Sequence, residues 1–88
     1  MYYVYLLQST VDDKYYIGQT SNISKRLLEH NSGNEKSTKH RKPFKLLGYE
    51  IYKTRNEAMW RERELKKSAY KRKKFINKFF RGGENKGP

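Results

Sequence analysis

Arg26 and His30 stand four residues apart in the run NISKRLLEH, residues 22–30. On a helix that spacing sets a guanidinium and an imidazole one turn apart, able to clamp a phosphate and to hold or move a proton. Taken singly, each also reads as packing: an arginine snorkelling to solvent, a histidine satisfied in a core. Upstream, Tyr5 and Tyr16 fall in two apolar runs, YYVYLLQ and YYIGQ. They read either as core aromatics or as phenols poised to lose a proton, an ionisation that a dense cationic surround would favour. Gly18, two residues beyond Tyr16, would leave room for a ligand's backbone to approach.

Glu62 is the oddest residue of the chain. Ala58, Glu62, Leu65 and Ala69 share what reads as the core-facing stripe of a helix. A carboxylate there needs a partner, because a charge moved out of water alone is strongly disfavoured. The partner is either a nearby arginine or a metal. Magnesium takes only one or two carboxylates and completes its shell with water and phosphate oxygens, so a lone inward glutamate suffices.

Several elements must position these groups. YYVYLLQ at 2–8 and YYIGQ at 15–19 read as strands about the turn VDDK at 11–14. With Asp12 and Asp13 as a two-residue loop, Leu7 pairs with Gly18 and Ser9 with Tyr16; Tyr5, Tyr16 and Gly18 then share one face. Asn22 is a good N-cap for the following helix, and Gly33 fits just past its end. With Ile23 at zero, Leu27 falls at about 40°, His30 at about −20° and Arg26 at about −60°, so His30 sits in the apolar stripe and Arg26 on its edge. A polar, basic loop over 34–43 leads to a third strand over 44–53. Helices follow over 55–67 and 70–80, the last with Phe75, Ile76, Phe79 and Phe80 on its apolar face. The order β-β-α-β-α-α describes one compact α+β domain over residues 1–80, with 81–88 as a disordered tail.

The composition narrows the partners. The 88 residues carry 34% hydrophobic and 15% aromatic side chains, enough for one small core if the tyrosines join it. The absence of cysteine excludes disulfides and thiolate zinc sites. YYVYLL is too short to span a bilayer and lacks the flanks of a signal peptide, so a cytoplasmic setting is expected. Lysine and arginine number 21 against 9 acids, a formal charge of +12, and only Lys14 precedes residue 22. The charge thus gathers beyond the hairpin, where it can face a polyanion. A membrane partner would need a helix joining a basic face to a broad apolar one, which this chain lacks. Nucleic acid is the expected partner and a monomer the expected state. Lys39, Arg41 and Lys42 in the loop, and Lys66, Lys67, Arg72 and Lys73 in KKSAYKRKK, read as phosphate contacts or as merely solvated faces. Phosphate contacts would read no sequence.

Taken together, YVY at 3–5, YIG at 16–18, Asn22, Arg26, His30 and Glu62 in EAMWRERELKK resemble the GIY-YIG nuclease superfamily, in its small stand-alone branch. The resemblance covers residues 2 to about 80. It implies a three-stranded antiparallel sheet flanked by helices, and metal-dependent hydrolysis of DNA with water as nucleophile. It implies Tyr5 or Tyr16 as general base, Arg26 stabilising charge on phosphorus and His30 orienting or relaying a proton. Glu62 would hold Mg²⁺ or Mn²⁺ as Lewis acid. Two departures stand out: Tyr3 replaces the first tripeptide's glycine, and Asn77 is the nearest match to an asparagine that the family often places beyond the glutamate helix. The expected function is an endonuclease of low sequence specificity, acting in DNA repair or recombination on branched, nicked or single-stranded DNA. Two other classes stay open: a nucleic-acid-binding module with the nuclease fold and little activity, and a small basic protein of an RNA assembly.

Overall fold

The computed structural model describes residues 1–33 and 39–86, residues 81–86 by backbone alone. Three strands, β1 (Tyr2–Ser9), β2 (Tyr15–Thr20) and β3 (Phe44–Tyr52), alternate with helices α1 (Ile23–Ser32), α2 (Arg55–Lys67) and α3 (Ala69–Lys86) in the expected order. The strands form one antiparallel sheet, ordered β2-β1-β3. The central strand is covered on both faces, which is why its sequence is nearly continuously apolar rather than alternating. On one face Val4 and Leu6 join Ile17, Ala58, Leu65 and Phe75 beneath α2 and α3. On the other, Tyr5, Leu7 and Phe44 pack with Tyr16, Ile23, Leu27 and Leu46 beneath α1.

The hairpin register differs from expectation. Tyr5 pairs with Gly18 and Leu7 with Tyr16, not Leu7 with Gly18 and Ser9 with Tyr16. The connection is longer than two residues because Ser9 organises it. Its Oγ accepts from the Val11 and Asp12 amides, its own amide donates to the Lys14 carbonyl, and Asp12 Oδ1 accepts from the Lys14 amide. Asp13 takes the left-handed conformation, φ 61°, that this turn requires. The displacement is by two residues, the period of a strand, so Tyr5, Tyr16 and Gly18 still share a face.

β3 carries an irregularity opposite Leu6 and Leu7: Leu6 pairs with Gly48, but Leu7 pairs with Leu46, leaving Leu47 as an extra residue. Gly48 lies beneath Phe79, and a Cβ built on it would come 2.1 Å from the Phe79 ring.

The caps explain the helix limits. Asn22 Oδ1 accepts from the Lys25 amide, and Gly33, at φ 85°, returns its amide to the Glu29 and His30 carbonyls. Thr54 and Glu57 form a reciprocal capping box at the start of α2. Ala58 and Leu65 are buried as predicted, whereas Ala69 is exposed. Ser68 ends α2 in extended backbone, so Ala69 starts a new helix rather than the next turn of the same stripe. The α3 backbone runs to Lys86, past Phe80, where the apolar pattern stops. Residues 34–38 of the predicted loop and 87–88 of the predicted tail lie outside the described residues.

The inward carboxylate that ties this architecture together is Glu50, which sequence reasoning missed. It lies opposite Val4, on the face beneath α2 and α3. Arg61 of α2 reaches its two oxygens at 2.9 and 3.2 Å, Tyr52 donates to it at 2.7 Å, and Lys78 of α3 donates to Oε2. Burial alone would raise its pKa, but these donors outweigh that and bring the carboxyl down to about 2. A carboxyl so lowered adds stability above its unfolded pKa of about 4.5, and that stability is lost as pH falls towards 2. Glu50→Gln should lower unfolding free energy at neutral pH by about 2 kcal/mol in urea titrations and flatten the acid limb of the stability curve.

Candidate active site

Tyr5 is the hub of the site. Its ring lies across the backbone of Gly18, where a Cβ would fall 2.4 Å from the phenol oxygen. Gly18 therefore makes room for Tyr5 itself; the expected opening for a ligand's backbone is already filled. The hydroxyl, in a side chain 2% exposed, lies 3.2 Å from Nε2 of the fully buried His30. Arg26, one turn earlier on α1, stands near enough to favour its ionisation, while Arg26 Nη1 donates to Glu29 at 3.0 Å. Tyr16 packs its ring edge-on to the imidazole at 4.8 Å, and Phe44 stands 5.8 Å from the imidazole. Ile23 and Leu27, packed against Tyr5, Leu7 and Phe44, set the rotation of α1 that turns His30 towards the hairpin.

Burial raises the Tyr5 pKa to about 12, offset in part by the Arg26 hydrogen bond and reinforced by Tyr16 and Glu62. The expected phenolate, favoured by surplus cations, does not form at neutral pH: loss of water outweighs the attraction of Arg26.

Glu62 lies within electrostatic reach of the Tyr5 hydroxyl, since its charge opposes ionisation there. It is not in the core interior. With 23% of its side chain exposed, it borders a cavity of about 350 Å³ with Gln19, Met59, Arg63, Lys66 and Lys67. Its partner is Lys66, Nζ to Oε2 2.7 Å, rather than an arginine. The Lys66 ammonium also lies 5.8 Å from the Tyr16 ring centroid, which joins Glu62 to the hairpin side of the site. Among the described residues no three His, Asp or Glu side chains gather as a metal cluster. The donor set nonetheless fits magnesium or manganese: one carboxylate, open space beside it, and a positive charge already seated on it, the ammonium of Lys66, whose side chain is 51% exposed.

Beside Arg26 opens a polar cleft of about 430 Å³ that also takes in Asn22, Lys25 and Arg55. Lys25 and Arg55 were not singled out from sequence; only their places, one residue before Arg26 and at the start of α2, could have marked them. The predicted basic contacts divide. Arg41 is engaged by Asp12 at 3.4 Å, by the Tyr15 carbonyl and by the Phe44 ring, and Arg72 donates to the Leu65 and Lys66 carbonyls at the end of α2. Both are tied into the fold. Lys42 covers Gly33. Lys39, Lys67 and Lys73 are exposed, as is Asn77. Of the seven basic residues, Lys66 and Lys67 border the Glu62 cavity.

Two hairpin tyrosines thus pack with a histidine of α1, an arginine stands one turn before it, and the charge of a glutamate from α2 reaches the Tyr5 hydroxyl. The family model described as the GIY-YIG catalytic domain matches residues 1–77. The chain belongs to the GIY-YIG family. Membership implies nuclease-type chemistry on a nucleic-acid substrate. Among GIY-YIG relatives, the UPF0213 protein of Haloquadratum walsbyi is 38% identical over 74 residues, covering 83% of this chain and 80% of that one. The UPF0213 protein of Syntrophus aciditrophicus is 45% identical over 67 residues, 74% of this chain and 76% of its own. The solution NMR structure of the UPF0213 protein BH0048 from Bacillus halodurans is 34% identical, covers 88% of this chain and 84% of that one, and superposes with a TM-score of 0.54. The departure at Tyr3 has a structural use: its ring packs edge-on against Tyr49 of β3 at 5.5 Å.

Gly18→Ala should push the Tyr5 ring off its seat, lowering stability by about 2 kcal/mol in thermal melts and displacing the His30 imidazole resonances. Because the folded pKa of Tyr5 lies above the unfolded value of 10, stability should be level below pH 10 and fall as pH rises towards 12. Tyr5→Phe should remove that share of the alkaline loss, leaving the similar share of Tyr52.

Proposed function

We propose that this chain is a divalent-metal-dependent endonuclease that hydrolyses DNA phosphodiesters with low sequence specificity. The observation that carries the reading is the Tyr5 hydroxyl, bonded to His30 and within electrostatic reach of both Arg26 and Glu62. A core tyrosine needs one hydrogen-bond partner; it does not need a guanidinium and an imidazole on one side and a carboxylate nearby.

Glu62 would hold Mg²⁺ or Mn²⁺, Lys66 moving aside; when bound, the metal supplies Lewis-acid polarisation of the scissile phosphate. Arg26, facing the polar cleft with Lys25 and Arg55, stabilises the charge developing on the phosphate oxygens. With the Tyr5 pKa near 12, a standing phenolate is not the base. Instead the Tyr5 oxygen takes a proton from the attacking water as its own proton passes to His30 Nε2, with His30 in the Nδ1–H tautomer. The new bond joins water oxygen to phosphorus, the bond to the leaving sugar oxygen breaks, and that oxygen regains a proton from solvent. Tyr16 acts as the wall that holds the imidazole in line. The substrates would be branched, nicked or single-stranded DNA met in repair or recombination, and the setting would be the cytoplasm, where bacterial and archaeal chromosomes lie. Exposed lysines such as Lys39, Lys67 and Lys73 would add phosphate contacts that read no sequence.

A second reading, a nucleic-acid binder with little activity, has one observation in its favour: in this structure Lys66 occupies Glu62. Cleavage of plasmid and branched DNA with magnesium or manganese separates the two. Arg26→Ala and Glu62→Ala should each lower the cleavage rate by about a hundredfold or more while binding persists. Lys66→Ala should lower the metal concentration needed for half-maximal rate. A wild type that binds every DNA form and cuts none would leave the binder standing.

A further inference from the structure

Trp60 is two residues from Glu62 on α2 and therefore projects from nearly the opposite side of that helix. It is 68% exposed, an unusual position for the largest side chain, and it walls a groove of about 750 Å³ with Tyr52, Arg61, Arg63, Lys67 and Lys71. The Arg63 guanidinium lies over the indole, 5.5 Å from its centroid. Two carboxylates also border the groove, but both are engaged. Glu57 closes the α2 capping box, and Glu64 accepts from Arg61 and from Lys71 at 2.7 Å each. Arg63 and Lys67 border this groove and the Glu62 cavity alike, so they form a cationic ridge between the two. A flat exposed aromatic beside such a ridge is what an unstacked base and its backbone phosphates require.

We infer that this groove binds single-stranded DNA leaving the cleavage site, with a base stacked on Trp60 and the flanking phosphates on Arg63 and Lys67. The direction of the strand rests on the nuclease reading; the stacking itself does not. The reading would make an unpaired flank, rather than continuous duplex, the preferred feature of the substrate.

Trp60 is the chain's single tryptophan, so its intrinsic fluorescence reports this groove alone. In metal-free buffer, where no cutting occurs, a short oligothymidylate should quench the emission saturably, and added salt should weaken the binding. Trp60→Leu, followed by the anisotropy of a labelled strand, should lose at least about fivefold in single-strand affinity, the lower end for one stacked base, with duplex affinity unchanged within about twofold. Binding of the labelled strand to wild type without quenching would overturn the inference, as would equal quenching by duplex. Emission that changes with protein concentration alone would assign the groove to a second copy instead. Quenching by a protein that cuts no DNA would keep this inference and overturn the nuclease reading. Cleavage without quenching would do the reverse.

Discussion

The contact between the Tyr5 phenol and the bare backbone of Gly18 is the constraint on which the site depends. The two residues pair across the hairpin, and a side chain at Gly18 would occupy the space of the phenol oxygen. With that space open, the ring lies flat over the edge strand, and its hydroxyl reaches His30 on α1. The bond joins α1 to the sheet, while the packing of Ile23 and Leu27 sets its rotation and the two caps set its limits. Arg26, one turn earlier on the same helix, then comes within electrostatic reach of that hydroxyl. Gly18 carries no functional group, yet it decides where the Tyr5 hydroxyl stands.

Two glutamates show how differently one residue type can be used in so small a domain. Glu50 receives Arg61, Lys78 and Tyr52, so its oxygens are saturated by the fold and it fastens both C-terminal helices to β3. Glu62 is held by Lys66, its neighbour one turn along the same helix, in a pair that bridges no elements. Removing the first ion pair loosens the architecture; exchanging the second leaves the helix as it was. A carboxylate with a replaceable partner, beside open space, is the one suited to a metal.

Much of this was legible in the residues. Caps at Asn22 and Gly33, the β-branched and aromatic runs and the 3.6-residue periods located all six elements. That Tyr5, Tyr16 and Gly18 share a face followed from parity, which survived a hairpin register displaced by two. Other features were hidden for physical reasons. The loop was set by Ser9, whose buried hydroxyl looks like any serine in sequence. Glu50 alternates in β3 as a solvent-facing residue would, and only the packing of α2 and α3 over that face gives it partners. The protonated state of Tyr5 depends on desolvation, which a count of lysines and arginines cannot show.

The extra residue in β3 has its own consequence. On one side of it Gly48 and Tyr52 turn towards α2 and α3; on the other, Phe44 and Leu46 turn towards α1. Even-numbered residues thus turn to opposite faces on the two sides of the irregularity, and Leu47 itself packs with the core beneath α2 and α3. Deleting Leu47 would restore an unbroken ladder with the same partners, whereas deleting Lys45 would turn Phe44 to the wrong side and strip the wall behind His30. In this domain the spacing of Phe44 from the extra residue positions the wall of the site as firmly as any cap.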